Sequence, residues 1–139
     1  MRIPVPAIAI PVIVLLLYFL VPGFKEQPWT TLRIAGAILA VISYPFVIIA
    51  HMQLGRSFSV RPEARELVTH GLYSKIRNPI YVFVDMMVFG LVLALHWHWL
   101  LLIFPVFVAF QARQARREAR VLQERFGQAY LDYREQTWF

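Results

Sequence analysis

Residues 32–52, LRIAGAILAVISYPFVIIAHM, form an apolar run of the length that crosses the hydrocarbon core of a bilayer as a helix, about 20 residues at a rise of about 1.5 Å each. Pro45 inside it predicts a kink that neighbouring helices have to accommodate. Three further apolar runs flank this one. Ile3 to Val21 is interrupted by Pro4, Pro6 and Pro11, so a regular helix is expected only over about 7–21. A secretory leader is the competing reading of that run, because Arg2 precedes it, but no small-x-small cleavage site follows Leu20. Ile80 to Leu95 is the third run and Trp97 to about Ala112 the fourth. With no breaker after Pro105, the fourth continues as one helix through Arg113 to Arg125.

Composition supports the same class. The 139 residues are 59% hydrophobic and 16% charged, with a mean hydropathy of +0.57, whereas a soluble domain carries about 25% charged residues. The expectation is one all-α integral membrane domain over 1–139. It is a polytopic bundle of about four transmembrane helices (approximately 7–21, 32–52, 80–95 and 98–112), with a loop at 54–79 and a helical C-terminal extension over 113–139.

Charge placement orients it. Arg2 precedes the first span. Arg56, Arg61, Arg65, Lys75 and Arg77 lie between the second and third, and Arg113, Arg116, Arg117, Arg120, Arg125 and Arg134 follow the fourth. Only Lys25 and Arg33 fall on the other side. The excess of cations on cytoplasmic loops of membrane proteins then places both termini and the 54–79 loop in the cytoplasm. His96-Trp97-His98-Trp99 becomes a short outer turn with its indoles at the headgroup level.

The chain has no cysteine, which removes disulfides, thiolate metal sites and cysteine nucleophiles. Its four histidines are scattered, so no metal site is expected. The net charge of +6 lies on the inner face, where anionic lipid headgroups explain it without nucleic acid.

Two polar stretches stand out. The first, Leu67 to Tyr81, packs Gly71, Pro79, Tyr73, Tyr81, Lys75 and Arg77 between apolar spans. Gly55 and Gly71 permit sharp turns, and Pro79 supplies the first turn of the next helix. Asn78 stands where an N-cap belongs. Either its side chain closes the open amides of that helix, or those amides and Arg77 attract a carboxylate or phosphate, and both can hold together. The second stretch is Arg113 to Tyr133. On a helix, Gln114, Glu118, Val121, Leu122 and Arg125 share a face, flanked by Arg113 and Arg117. On spacing alone this is a solvated basic helix with Glu118 in ordinary salt bridges. Gly127 is its expected cap, with Tyr130 and Tyr133 turned back towards the membrane from a short terminal helix.

In order, the chain offers Leu54-Gly55 with Phe58-Ser59, then Leu67-Val68, Gly71, Tyr73, Arg77, Pro79 and Tyr81, then Arg113, Glu118, Leu122, Phe126-Gly127, Tyr130 and Tyr133. This resembles the isoprenylcysteine carboxyl methyltransferase family and its relatives among membrane phospholipid methyltransferases. Their pattern reads approximately L-G-x-x-(W/F)-S, then L-V-x-x-G-x-Y-x-x-x-R-H-P-x-Y, then R-x-x-x-x-E-E-x-x-L-x-x-x-F-G-x-x-Y-x-x-Y. The resemblance covers roughly residues 54–133.

It implies a helical membrane enzyme that uses S-adenosylmethionine, releases S-adenosylhomocysteine and receives a lipophilic acceptor from the bilayer. By position, Leu67, Val68, Gly71 and Tyr73 would surround the adenosine part. Asn78, Tyr81 and Glu118 would face the methionine end, Glu118 suiting the amino group, Arg77 would belong to the same cofactor site, and Tyr130 would close the pocket. Arg113 would orient the acceptor, and Glu118 would take a proton from an amine or hydroxyl acceptor. Three positions depart from the pattern. Ala119 stands where the family has a second glutamate, Asn78 where histidine is common, and Phe83 where a small residue is frequent.

Two other readings stay open. One is a non-catalytic membrane subunit or binding protein that keeps the fold. The other is a relative of the membrane sterol reductases, which share the R-H-P-x-Y type of loop but bind a nicotinamide cofactor. Prenylated protein, phospholipid amine, fatty acid, quinone-like lipid and small thiol are all compatible acceptors, and oligomeric state is open. Asp85, about five residues into the third span, is costly in lipid and has to face inwards. Either it pairs with a neighbouring helix, with His51 as a candidate, or it belongs to a substrate site.

Overall fold

The structure, a computed structural model, describes residues 28–55 and 67–138. The expected first span, the loop residues Phe58-Ser59 and the cations Arg56, Arg61 and Arg65 lie outside the described residues. Within them the architecture is all helical: α1 Thr31–Leu54, α2 Pro79–Ala94, α3 Phe104–Phe126 and α4 Gln128–Gln136, with 3₁₀ turns at Gly71–Ser74 and His98–Leu102.

α1 begins where Thr30, in extended geometry, accepts the amide of Arg33 through its side chain at 3.3 Å. It runs unbroken through Pro45 and ends at Gly55, whose φ of +50° suits a residue without Cβ. Of the described helices only α1 is long and apolar enough to cross a membrane; α2 is apolar but shorter.

The α1–α2 pair is the best-packed part of the fold. The buried positions of α1 are Arg33, Gly36, Ala40, Ser43 and Ala50, spaced by three, four, three and seven. That spacing draws one narrow stripe along the helix. Except at Arg33 the stripe is made of small residues, so the backbones come very close. A Cβ on Gly36 would stand 2.6 Å from the Gly90 carbonyl oxygen, and a Cβ on Gly90 would stand 2.6 Å from that of Gly36. Gly36 with Ala40 and Gly90 with Ala94 are thus paired small-x-x-x-small faces, a form that suits helix contact in an apolar medium, where packing rather than the hydrophobic effect brings helices together. Outside the stripe α1 is exposed and apolar: Ile38, Val41, Ile42, Ile48 and Ile49 all point away from α2, and Met52 is 74% exposed.

Arg33, wholly buried, fastens the far end of the hairpin. Its Nε donates to the Ala94 carbonyl at 2.8 Å and its Nη1 to the Pro28 carbonyl at 3.1 Å, while its guanidinium stands 5.0 Å from the Trp29 ring. A cation on the last carbonyl of α2 satisfies an acceptor that the helix leaves open and meets the negative end of its dipole. Ser43 returns its hydroxyl to the Leu39 carbonyl at 2.7 Å, which satisfies a buried polar atom within the seam. Beside the seam, Phe46 of α1 stacks on Phe83 of α2 with ring centres 4.8 Å apart, so the bulky residue at 83 fills inter-helix space.

The span expected over 98–112 is built differently. The chain turns at His96, whose φ is +62°, makes a 3₁₀ turn over His98–Leu102, and starts α3 only at Phe104. Pro105 explains the start: proline lacks the amide that an interior turn needs and is tolerated in the first turn. From there α3 continues to Phe126 without a break. Its first half is apolar and its second half basic, and Gly127 with φ +52° turns the chain into α4.

Candidate functional site

The far end from Arg33 is where α1 ends, α2 begins and α3 passes into α4. The segment before α2 is held by Gln53 of α1, whose Oε1 accepts the Leu72 amide at 2.8 Å. Gly71, with φ +61°, makes the turn that brings Leu72 there, and a Cβ on it would overlap the Gln53 side chain. Ser74 then donates its hydroxyl to the Gly71 carbonyl at 2.7 Å. Tyr73 is consequently pressed inwards and buried.

The C-terminal helix closes on this segment from the other side. Tyr133 of α4 donates its hydroxyl to the Tyr73 carbonyl at 2.7 Å, a buried bond between residues sixty apart. Trp138 donates its amide to the Lys75 carbonyl at 3.0 Å, and the Arg77 amide lies 3.5 Å from the Trp138 carbonyl, so the chain end pairs with Ile76 as a single parallel bridge. Tyr130, 1% exposed, packs beside Tyr133 with ring centres 6.3 Å apart.

The third side is α3. Glu118 accepts the Tyr81 hydroxyl on Oε1 at 2.7 Å, and Gln114, one turn earlier, donates Nε2 to the same oxygen at 3.3 Å. Glu118 therefore faces the start of α2 and is bonded to a tyrosine and an amide, in place of the solvated salt bridges that spacing alone allowed. Its neighbour Ala119 is half-buried.

The site residues named from sequence gather unequally. Tyr73, Tyr81, Glu118 and Tyr130 lie in one cluster, with Arg77 close enough to act on the phenols of Tyr130 and Tyr133. Leu67 and Val68 are half-buried in the segment that leads to Gly71. Asn78 occupies the N-cap position, but its side chain makes no capping bond and the cap contact comes from its carbonyl, which accepts the Val82 amide at 3.2 Å. Its φ of −126° and ψ of 60° are not the usual cap geometry. With proline at the first position, the amides of Ile80 and Tyr81 are the open donors of α2. Arg113 stands exposed on α3, five residues before Glu118 and so about 140° around the helix from it.

Sequence reasoning singled out neither Gln53 nor Trp138. Nothing local marks Gln53 as the residue that pins the loop, and a lone tryptophan after α4 carries no pattern. Gln114 was on the right face, and its spacing of four from Glu118 was the available signal for their bond.

The electrostatics keep the phenols of this cluster protonated. Burial, followed by the neighbouring Tyr133 and Glu118, raises the Tyr73 phenol above its ordinary value. Burial pushes Tyr133 up to about 12, with Tyr130 adding and Arg77 opposing. Burial also raises Tyr130 against the pull of Arg77 and Arg134. At neutral pH all three are O–H donors. Tyr133 uses its proton on Tyr73; the Tyr73 hydroxyl itself is buried with no hydrogen-bond partner. A buried donor without an acceptor is costly, and it marks a place where a polar group from outside the chain would be welcome.

No curated protein matches the chain significantly. The sequence pattern of the phospholipid methyltransferase family, however, matches residues 31–129, from the first turn of α1 to the start of α4, a stretch that holds Tyr73, Tyr81 and Glu118 and ends just before Tyr130. The chain belongs to the phospholipid methyltransferase family.

Proposed function

We propose that this chain transfers a methyl group from S-adenosylmethionine to a lipophilic acceptor at the cytoplasmic face of a membrane, as a multi-pass protein with both termini in the cytoplasm. The family supports methyl transfer. The observation that carries the location is the 2.7 Å bond from Tyr81 to Glu118, which draws the start of α2 and the middle of α3 together beside the unpartnered Tyr73 hydroxyl. The exposed apolar surface of α1 and of the first half of α3, with Val106 67% and Phe110 70% exposed, supports a lipid environment. Exposed Arg113, Arg116, Arg117 and Arg120 beyond it suit anionic headgroups.

The residues present fit the cofactor. Its ammonium group needs a carboxylate, which Glu118 supplies. Its carboxylate needs N–H donors, which the open amides of α2 and Arg77 supply. Its adenosine needs apolar walls and a polar handle, for which Leu67, Val68 and Tyr73 are placed. Bound there, S-adenosylmethionine would supply a methyl carbon already activated by the sulfonium. The protein's part is alignment and exclusion of water. Tyr130 and Tyr133 cover the segment from the α4 side, and the Gln53 and Trp138 contacts hold that segment in register.

A carboxylate acceptor would need no base, whereas an amine or hydroxyl would have to release a proton, for which Glu118 is the acid nearest the cluster. Arg113, exposed on α3 and turned about 140° around the helix from Glu118, stands apart from the cluster, and its role of orienting the acceptor rests on the resemblance alone. Ala119 favours a second reading, a non-catalytic membrane subunit that binds the cofactor, because one carboxylate is left where the family carries two. Incubating the purified protein with methyl-labelled S-adenosylmethionine and extracted membrane lipids decides between them. Label in the organic phase supports transfer; cofactor binding with no label in any lipid or small molecule favours the subunit.

A further inference from the structure

The cluster around Glu118 continues inwards along both of its helices. On α2, Asp85 follows Tyr81 by four residues and lies on the same face, about 6 Å further along the axis. On α3, Gln111 precedes Gln114 by three and Glu118 by seven, again on one face. The two helices run in opposite directions, so both steps lead away from the loop and into the apolar part of the molecule.

There Asp85 and Gln111 meet. The Gln111 side chain stands close enough to act on the Asp85 carboxylate. Gln111 is 8% exposed, so nine-tenths of it is buried. Tyr81 with Glu118 is thus the outer rung, and Asp85 with Gln111 the inner rung, of one polar ladder between α2 and α3.

The inner rung is incomplete. Asp85 Oδ1 and Gln111 Oε1 are both buried and both lack a hydrogen-bond partner. Polar groups held in an apolar setting are normally fully bonded, because each unmade bond there costs more than in water. A pair that only joined two helices would be expected to use its atoms on each other. Here each residue keeps a buried acceptor oxygen with nothing bonded to it. Both are oxygens that take protons in hydrogen bonds, so the group that completes them carries N–H or O–H donors. A carboxylate head would bring a third acceptor and be repelled.

We propose that Asp85 and Gln111 form the binding site for the polar head of the lipophilic acceptor, and that this head bears N–H or O–H donors. The proposal rests on the methyltransferase reading for its purpose, since it sets the acceptor one helical turn inward of Glu118 with its chain among the apolar residues of α2 and α3. Asp85 is then a residue that touches substrate, and Glu118 a residue that touches cofactor.

The test uses the full chain in maltoside detergent and three probes of equal chain length, hexadecylamine, hexadecanol and palmitate, with S-adenosylhomocysteine titrated separately. Thermal stability reads each binding event, because a ligand of the native state raises it. The expected result is stabilisation by the amine or the alcohol and none by palmitate. Asp85→Asn and Gln111→Leu should each weaken that binding at least tenfold while leaving the affinity for S-adenosylhomocysteine within twofold. Preferential binding of palmitate, or amine and alcohol affinities unchanged in both variants, overturns the proposal. So does a lower melting temperature in both variants with unaltered probe affinity, which marks the pair as helix glue. Should Asp85→Asn fail to fold, Gln111→Leu and Gln111→Met carry the same measurement. Failure of wild-type protein to bind S-adenosylhomocysteine is a separate outcome that sinks the cofactor reading instead.

Discussion

The two ends of the helical hairpin are held by opposite means. Along the seam, Gly36, Ala40, Gly90 and Ala94 let two backbones touch, with scarcely a side chain between them. At the loop end the helices are linked by long polar side chains that reach across gaps: Gln53 to Leu72, Tyr81 to Glu118, Tyr133 to Tyr73. The first arrangement is dry, rigid and intolerant of volume. The second leaves donors and acceptors between its elements, among them the free Tyr73 hydroxyl. A site that has to admit a cofactor and a substrate is better built by the second means, provided the first keeps its supports fixed.

The comparison breaks most visibly at the seam. Gly90→Leu has nowhere to place even its Cβ, which would meet the Gly36 carbonyl at 2.6 Å and the Ala40 amide nitrogen at 2.7 Å, both backbone atoms. Overpacking of this kind costs about 1–3 kcal/mol or more. The expected outcome is loss of a cooperative thermal transition in detergent and no recovery with added cofactor. A transition within a few degrees of wild type would show that the hairpin is not packed through glycine.

A smaller effect is expected at Gly71. Alanine there takes on a positive φ, a strain of about 1–2 kcal/mol for an L residue, and pushes on the flexible Gln53 side chain. Stability should fall modestly, while affinity for S-adenosylhomocysteine falls further because Tyr73 follows two residues on. Equal losses in stability and affinity would contradict a positioning role for the turn.

The helices were legible because their signals are local. The run over 32–52 appears as Thr31–Leu54, the run over 80–95 as Pro79–Ala94, and the uninterrupted pattern after Pro105 as one helix through the arginines. Glycines 55, 71 and 127 were legible for the same reason, since a turn with positive φ is written into one residue. The clustering of Tyr73, Tyr81, Glu118 and Tyr130 came from a resemblance in order and spacing, not from local pattern. What escaped was long-range and polar. Arg33 reads as a misplaced cation until Ala94 is seen above it, and Gln53 reads as the end of a helix until Leu72 arrives. Asn78 shows the converse: the residue type fits a cap, yet its side chain makes no capping bond.

The smallest effect is expected at Tyr133. Phenylalanine removes the bond to the Tyr73 carbonyl, worth about 1 kcal/mol net. It also removes a pH dependence. The folded-state value of about 12 lies above the ordinary 10.0 of an unfolded tyrosine, so the fold favours the protonated form. The stability this contributes is complete below pH 10 and is lost as pH rises from 10.0 to about 12. Tyr133→Phe should flatten that part of the alkaline unfolding curve, and an unchanged curve would show that other groups govern it.

The claim at the centre is that the loop before α2, α3 and α4 enclose one adenosyl cofactor with Glu118 on its amino group. Isothermal titration of S-adenosylhomocysteine into wild-type protein and Glu118→Ala, both in detergent, tests it most directly. Saturable one-site binding by wild type and at least tenfold weaker binding by the variant is the expected result. Equal affinity in the two proteins, or no binding by wild type, would contradict it.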